Sequence, residues 1–278
     1  MSPKKKIRNF HKAVMRELKE NKSTFLVYSG LRLLVIIMMI LQIINQNYEN
    51  VFLCLLTLVL MLLPSILQAT FKVEFPSMLE IIILLFIFAA EILGEISSFY
   101  MRFPHWDTIL HTLNGFLCAA VGFSLVDVMN QQKRLLFKMA PSFVSIVSFC
   151  FSMTIGAVWE IFEFAMDRIF GLDMQKDTIV HSISTVTLDP LQENNRVVIR
   201  DIHNVAVNGT DLGLDGYLDI GVIDTMYDLV VNFVGAIVFS VMGYFYIKHR
   251  NTKSLVKELV PEPWSEEKKN LMKKEIEN

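Results

Sequence analysis

The chain has 278 residues, 53% of them hydrophobic and 19% charged, with a mean hydropathy of +0.44 and an isoelectric point near 6.3. Soluble domains average about 45–50% apolar and about 25% charged. Here the apolar residues gather in blocks near the roughly 20 residues that cross a bilayer core, which excludes a single soluble core. A net charge of −2 gives no support to nucleic-acid binding.

Residues 1–23 form a basic, amphipathic cytoplasmic segment, in which Ile7, Phe10, Val14, Met15 and Leu18 alternate with eight lysines and arginines. Six spans follow within residues 24–247: Thr24–Gln46, Val51–Gln68, Met78–Tyr100, Asp107–Asn130, Ala140–Phe170 and Gly221–Ile247. The first span has no cleavage site after it and reads as a retained anchor. The second is short enough for an imperfect or tilted crossing. Basic residues alternate across the short loops: Lys72, then Lys133, Arg134 and Lys138, then Lys248, Arg250 and Lys253 on one side, and only Arg102 on the other. That alternation predicts both termini in the cytoplasm. Residues 248–278 are a charged cytoplasmic tail, read as a solvated helix pair or frayed end broken by Pro261 and Pro263. The predicted fold is an all-α integral membrane protein, a six-helix transmembrane bundle with a small extracytoplasmic β-containing insertion between spans five and six.

That insertion, residues 171–220, has β-branched runs at Ile179–Leu188 and Arg196–Val207, with turn chemistry at Asn208-Gly209 and Asp215-Gly216. Asp211, Asp215 and Asp219 read as ordinary turn residues, and Asn208-Gly-Thr matches a glycosylation sequon. His105, His181 and His203 read as surface residues and not as ligands. Cys54, Cys118 and Cys150 lie in apolar runs and offer neither a disulfide framework nor a zinc knuckle.

Ionisable residues inside a membrane cost about 2.5–3.5 kcal/mol each on insertion scales and default to functional candidates. Under the predicted topology, Glu91 and Glu95, Asp107, His111 and Asn114, Glu160, Glu163 and Asp167, and Asp224, Asp228 and Asn232 fall at one depth, in the outer leaflet. Each set recurs at i, i+3, i+4 or i+7, one face of its helix. Arg32 and Glu80 lie near inner helix ends and can snorkel. Asp107 and Asp224 also fit as helix caps, and Trp106, Trp159, Tyr100, Tyr217 and Tyr227 as an aromatic belt. Crowded carboxylates need protons or cations to persist in a low dielectric. His111, Glu160, Glu163, Asp224 and Asp228 are therefore the candidate metal ligands. Asp107 and Glu95 are candidates to orient them or act as general base, with Glu91, Asn114, Asp167, Gln175 and Asn232 as further polar groups of the site.

The ordered motifs Trp106-Asp-Thr-Ile-Leu-His111, Trp159-Glu-Ile-Phe-Glu163, Gly171-Leu-Asp-Met-Gln175 and Asp224-Thr-Met-Tyr-Asp228 resemble the YjdF-type family of bacterial inner-membrane proteins over about residues 91–243. The segment from Glu160 to Gly235 is also similar to VanZ-like membrane proteins, but lacks their arginine between Gln175 and Asp228 at the usual place. These resemblances imply a cell-envelope context and no particular reaction.

Three functions follow as expectations. The first is a metal-dependent hydrolase or transferase using a divalent ion, and no nucleotide cofactor, on a lipid-linked envelope substrate. The second is a proton- or cation-coupled transporter or flippase. The third is a non-catalytic membrane partner or resistance protein. Membrane lipids are the expected partners and nucleic acid is not. No HExxH, GxSxG or P-loop motif is present.

Overall fold

The computed structural model describes residues 22–71, 73–130, 138–249, 254–266 and 268. The basic amino-terminal segment, the loop cations Lys72, Lys133, Arg134, Arg250 and Lys253, and the end of the tail lie outside the described residues. Among the described residues, six helices are long and apolar enough to cross a membrane: Ser23–Ile44, Tyr48–Thr70, Ser77–Ile96, Trp106–Asn130, Pro141–Phe170 and Val222–His249. The fold is all-α with small strand pieces, as the apolar blocks predicted. The chain divides into two compact units, one of Met1–Thr154 with Val231–Asn278 and the other of Ile155–Val230.

In the first unit, α1 (Lys22–Ile44) packs on α2 (Tyr48–Leu60). The second crossing breaks at Met61-Leu62 and resumes as α3 (Leu63–Phe71). Pro64 is the cause, because it lacks an amide and its ring crowds the carbonyl one turn earlier. The third crossing starts as α4 (Ser77–Phe88) and widens into a π-helix over Ala89–Ile96. Ser98, at a φ of 57°, then turns the chain into the short α5 (Phe99–Arg102). Tyr28, Val35, Cys54, Met61, Leu84, Ile87 and Ile92 form the core of this helical layer.

A second core gathers around α6 (Trp106–Asn130), the first half of α7 (Pro141–Phe170) and the second half of α8 (Val222–His249). In lipid there is no hydrophobic force between helices, so close packing and polar links must hold them. A Cβ at Gly115 would overlap the Asn232 carbonyl, and one at Gly235 would overlap the Thr112 carbonyl. Small residues thus set two backbones in direct contact. The Ser152 hydroxyl donates to Gly115 O and the Ser148 hydroxyl to Ala119 O, both at 2.7 Å. Phe239 meets Phe116 and Phe123 edge-on, with centroids 5.1 and 5.8 Å apart.

The tail departs from the solvated end predicted from its charge. Ser254 caps a 3-10 turn over Leu255–Glu258, and Val256, Leu259, Val260 and Trp264 are buried. Strand β1 (Val73–Glu74) then pairs antiparallel with the last strand (Glu262–Pro263). Four apolar side chains within nine residues outweigh the local charge.

The second unit carries the predicted insertion. Strand β2 (Ile179–Val180) pairs with β7 (Tyr217–Leu218), β3 (Ile183–Thr185) with β4 (Val197–Ile199), and β5 (Ala206–Val207) with β6 (Thr210–Asp211). The β5–β6 turn is Asn208-Gly209, with φ of 52° and 80°, the two left-handed residues a type I′ hairpin requires. The Asp189 carboxylate accepts the amides of Leu191, Glu193 and Asn195 and so folds the β3–β4 connection around itself. These bonds, the one to Asn195 foremost, hold its carboxyl below the usual range.

Candidate functional site

The polar residues of the second unit sit on helices that are inside out. On α7, Glu160 and Glu163 are 5% and 8% exposed, while Ile161, Phe162 and Phe164 stand 45–66% exposed. On α8, Asp228 is 2% exposed between Met226, Tyr227 and Val230, all above 50%. This is the pattern of a membrane helix that shows its apolar face to lipid and withdraws its charges. Trp159 Nε1–H donates to Glu163 Oε1 at 2.9 Å, one turn along the same helix.

A strap of residues 171–178 runs from the end of α7 to the start of α8, and it engages the other predicted acids. Asp167 Oδ1 and Oδ2 accept the amides of Met174 and Gln175 at 2.7 and 2.9 Å. Gln175 Nε2 donates to Thr225 Oγ1 at 2.5 Å, and Asp224 Oδ2 accepts the Lys176 amide at 2.9 Å. Asp219 accepts Thr178 N, Gly221 N and Ile223 N, fixing the first turn of α8. Burial, with Asp173, Asp219 and Asp167 nearby, pushes the Asp177 carboxyl up. Asp167, Gln175 and Asp224 therefore have a positional role that i, i+4 spacing did not reveal. Glu160, Glu163 and Asp228 are the buried acids on the two helices of this unit.

The first unit holds the remaining candidates. His111 Nε2 lies 3.5 Å from Asp107 Oδ1, with His111 much the less exposed of the two. Asn114 Nδ2–H donates to Asn232 Oδ1 at 3.3 Å, and Asn232, at 1% exposure, reaches the Met153 sulfur. This pair sits beside the Gly115 contact and ties α6 to α8. Glu91 and Glu95 fall on the π-helix, Glu91 half-buried and Glu95 exposed. The candidates predicted as one cluster are thus shared between the two units.

One expectation fails, and two polar groups escaped the sequence reading. Glu80 does not snorkel. It is buried, its Oε1 accepting from Gln68 Nε2 at 3.5 Å while Gln68 Oε1 takes the Phe75 amide. Asp127 and Asn130 are buried near the end of α6, and Asp127 lines a cleft of about 270 Å³ with Tyr246, Lys257 and Glu262. A single acid near a helix end looks solvated in sequence, and only the folded tail encloses this one. Arg32 does not sit at a helix end: it lies near the middle of α1, with its guanidinium against the Tyr28 hydroxyl and ring.

The second missed group lies in the insertion. His181, His203 and Asp215 each offer one ligating atom within 4.8 Å of the other two. His203 Nδ1 is 2.6 Å from Asp215 Oδ1, and that hydrogen bond holds the Asp215 carboxyl below its usual range. Their separation in sequence hid them, and strand register unites them.

No curated protein and no solved structure matches the chain. Residues 27–249 match the model of the family described as predicted membrane protein (DUF2238), and with most of the chain covered by that match the chain belongs to this family.

Proposed function

We propose that this chain is an enzyme of the bacterial cytoplasmic membrane, with both termini in the cytoplasm, that hydrolyses or transfers a group on a lipid-linked envelope substrate at the outer leaflet. The observation that carries the reading is the withdrawal of Glu160, Glu163 and Asp228 on helix ends whose neighbouring apolar side chains are exposed. Three carboxylates in a low dielectric persist as anions only with a counter-cation. A bound divalent ion would supply Lewis acidity and a water of lowered pKa. In this reading the carboxylates hold the ion. The ordered motifs from Trp106 to Asp228 support a YjdF-type assignment within the family.

The test is the sign of a stability change. Glu163→Gln and Asp228→Asn keep volume but remove a charge that only a cation requires. With an ion bound, both variants lose metal and melt at lower temperature than wild type. Without one, each relieves like-charge repulsion and melts at the same or higher temperature, which would remove the enzyme reading.

The eight-residue π-helix carrying Glu91 and Glu95 favours a second reading, a proton- or cation-coupled transporter. Interrupted crossings supply binding sites in transporters, and π segments mark functional positions. Uptake driven by a pH gradient in vesicles, abolished by Glu91→Gln, would favour it over the enzyme.

A further inference from the structure

The strand register of the insertion brings together three residues that are far apart in sequence. Val180 pairs with Tyr217, so the next position places His181 beside the Asp215-Gly216 turn. Ile183 pairs with Ile199, which carries the chain after β4 back to His181. There the Ile202 amide donates to the His181 carbonyl at 3.0 Å, and His203 follows directly. Gly216, at a φ of 146°, completes the approach. A Cβ there would overlap Ile179 Cγ2 and stand 3.5 Å from His181 Cε1.

Both imidazoles are already held. His181 Nδ1 lies 3.1 Å from the Ile202 carbonyl, which can only accept, so Nδ1 carries the proton and Nε2 presents its lone pair. Ligating histidines are oriented in this way, by a hydrogen bond from the second ring nitrogen to a backbone carbonyl. The two rings stand 5.7 Å apart at 41°. Two imidazoles on one tetrahedral ion, with bonds of about 2.0–2.1 Å, have centroids roughly 5 Å apart. All three side chains are exposed, so rotation of a side chain by about an ångström closes the set without moving the strands.

The geometry points to a surface site for a zinc-class divalent ion, with one donor each from His181, His203 and Asp215 and water in the open position. Two imidazoles and one carboxylate suit zinc, cobalt, nickel or copper better than magnesium or calcium, which prefer all-oxygen shells. The site lies wholly within the insertion and does not depend on the intramembrane reading.

Full-length protein in detergent micelles, stripped with chelator, is titrated with Zn²⁺ by calorimetry, and with Co²⁺ by visible absorption. The same titrations are run on the Glu163→Gln/Asp228→Asn chain, which removes the proposed intramembrane ion. The Glu163→Gln/Asp228→Asn chain should bind one equivalent; in both backgrounds His203→Gln should remove one equivalent, and Asp215→Asn should weaken that event at least tenfold. A hundredfold excess of Mg²⁺ should not compete. His203→Gln leaves the His181–Ile202 pair intact, and an unchanged proteolysis pattern over residues 171–220 confirms that the insertion stays folded. Equal Zn²⁺ binding by His203→Gln and its parent, absence of binding in both backgrounds, or displacement by Mg²⁺ would each overturn the site.

Discussion

The contact between α6 and α8 allows a graded test of the packing, using three glycines that differ in what an added methyl group would meet. At Gly235 a Cβ overlaps the Thr112 carbonyl and lies 2.9 Å from Phe116 N, so the obstacle is backbone on a neighbouring helix. Relief requires the two helices to part, which breaks the contact that Gly115 makes from the other side. Overpacking of this kind costs about 1–3 kcal/mol. With a rigid obstacle the upper half applies, about 2–3 kcal/mol, or roughly 30- to 150-fold in the folded-to-unfolded ratio. At Gly243 the obstacle is the Phe123 ring at 2.7 Å, a side chain packed against Phe239 and Tyr246. About 1 kcal/mol is expected there. At Gly30, inside α1, nothing lies within 4 Å, so alanine is neutral or stabilises by up to about 1 kcal/mol through helix propensity. Denaturation in mixed micelles, followed by tryptophan fluorescence, gives the three values. The order Gly235→Ala, Gly243→Ala, Gly30→Ala, from least to most stable, is expected. Equal stability of Gly235→Ala and Gly30→Ala would refute direct backbone contact between these helices.

Other outcomes follow from the second unit and the topology. Asp219→Ala removes the acceptor of three amides and should loosen the strap at a cost of about 1–2 kcal/mol, read as faster proteolysis near residues 171–178. Asp189→Ala should open the β3–β4 connection selectively, seen as new cleavage at residues 189–195. Because the folded Asp189 carboxyl is depressed, its stabilising contribution is present above its unfolded pKa, about 3.9, and is lost as pH falls through the folded value. The same cleavage should therefore appear in wild type on acidification and not between pH 5 and 8. Reporter tags should find the carboxyl terminus at Asn278 inside and residues 171–220 outside. The reverse arrangement would remove the outward-facing reading.

What the sequence disclosed was periodicity, and what it concealed was neighbours. Runs of apolar residues located all six crossings within a few positions, because hydropathy over about 20 residues is a property of the chain alone. The break at Met61-Leu62 needed only Pro64 to be weighed against the apolar run around it. The π-helix over Ala89–Ile96 had no comparable signal, since the same residues satisfy an α-helical pattern. Helical spacing correctly set Glu160 and Glu163 together on a buried face. It could not separate them from Asp167 and Asp224, whose oxygens hold the strap. The insertion reverses the lesson. Asn208-Gly209 announced its hairpin through local backbone preference, whereas His181, His203 and Asp215 meet only through long-range pairing that no spacing encodes.

The central claim is that the buried carboxylates Glu160, Glu163 and Asp228 bind a cation. It is tested most directly in protein carrying His181→Gln and His203→Gln, so that the insertion contributes no metal. Metal content and melting temperature are measured in that protein with and without Glu163→Gln and Asp228→Asn. The account predicts one divalent ion per chain, lost in both variants together with a fall in melting temperature, and a matching fall when chelator is added to their parent. A metal-free parent that is indifferent to chelator, with both variants as stable as it or more so, would contradict it.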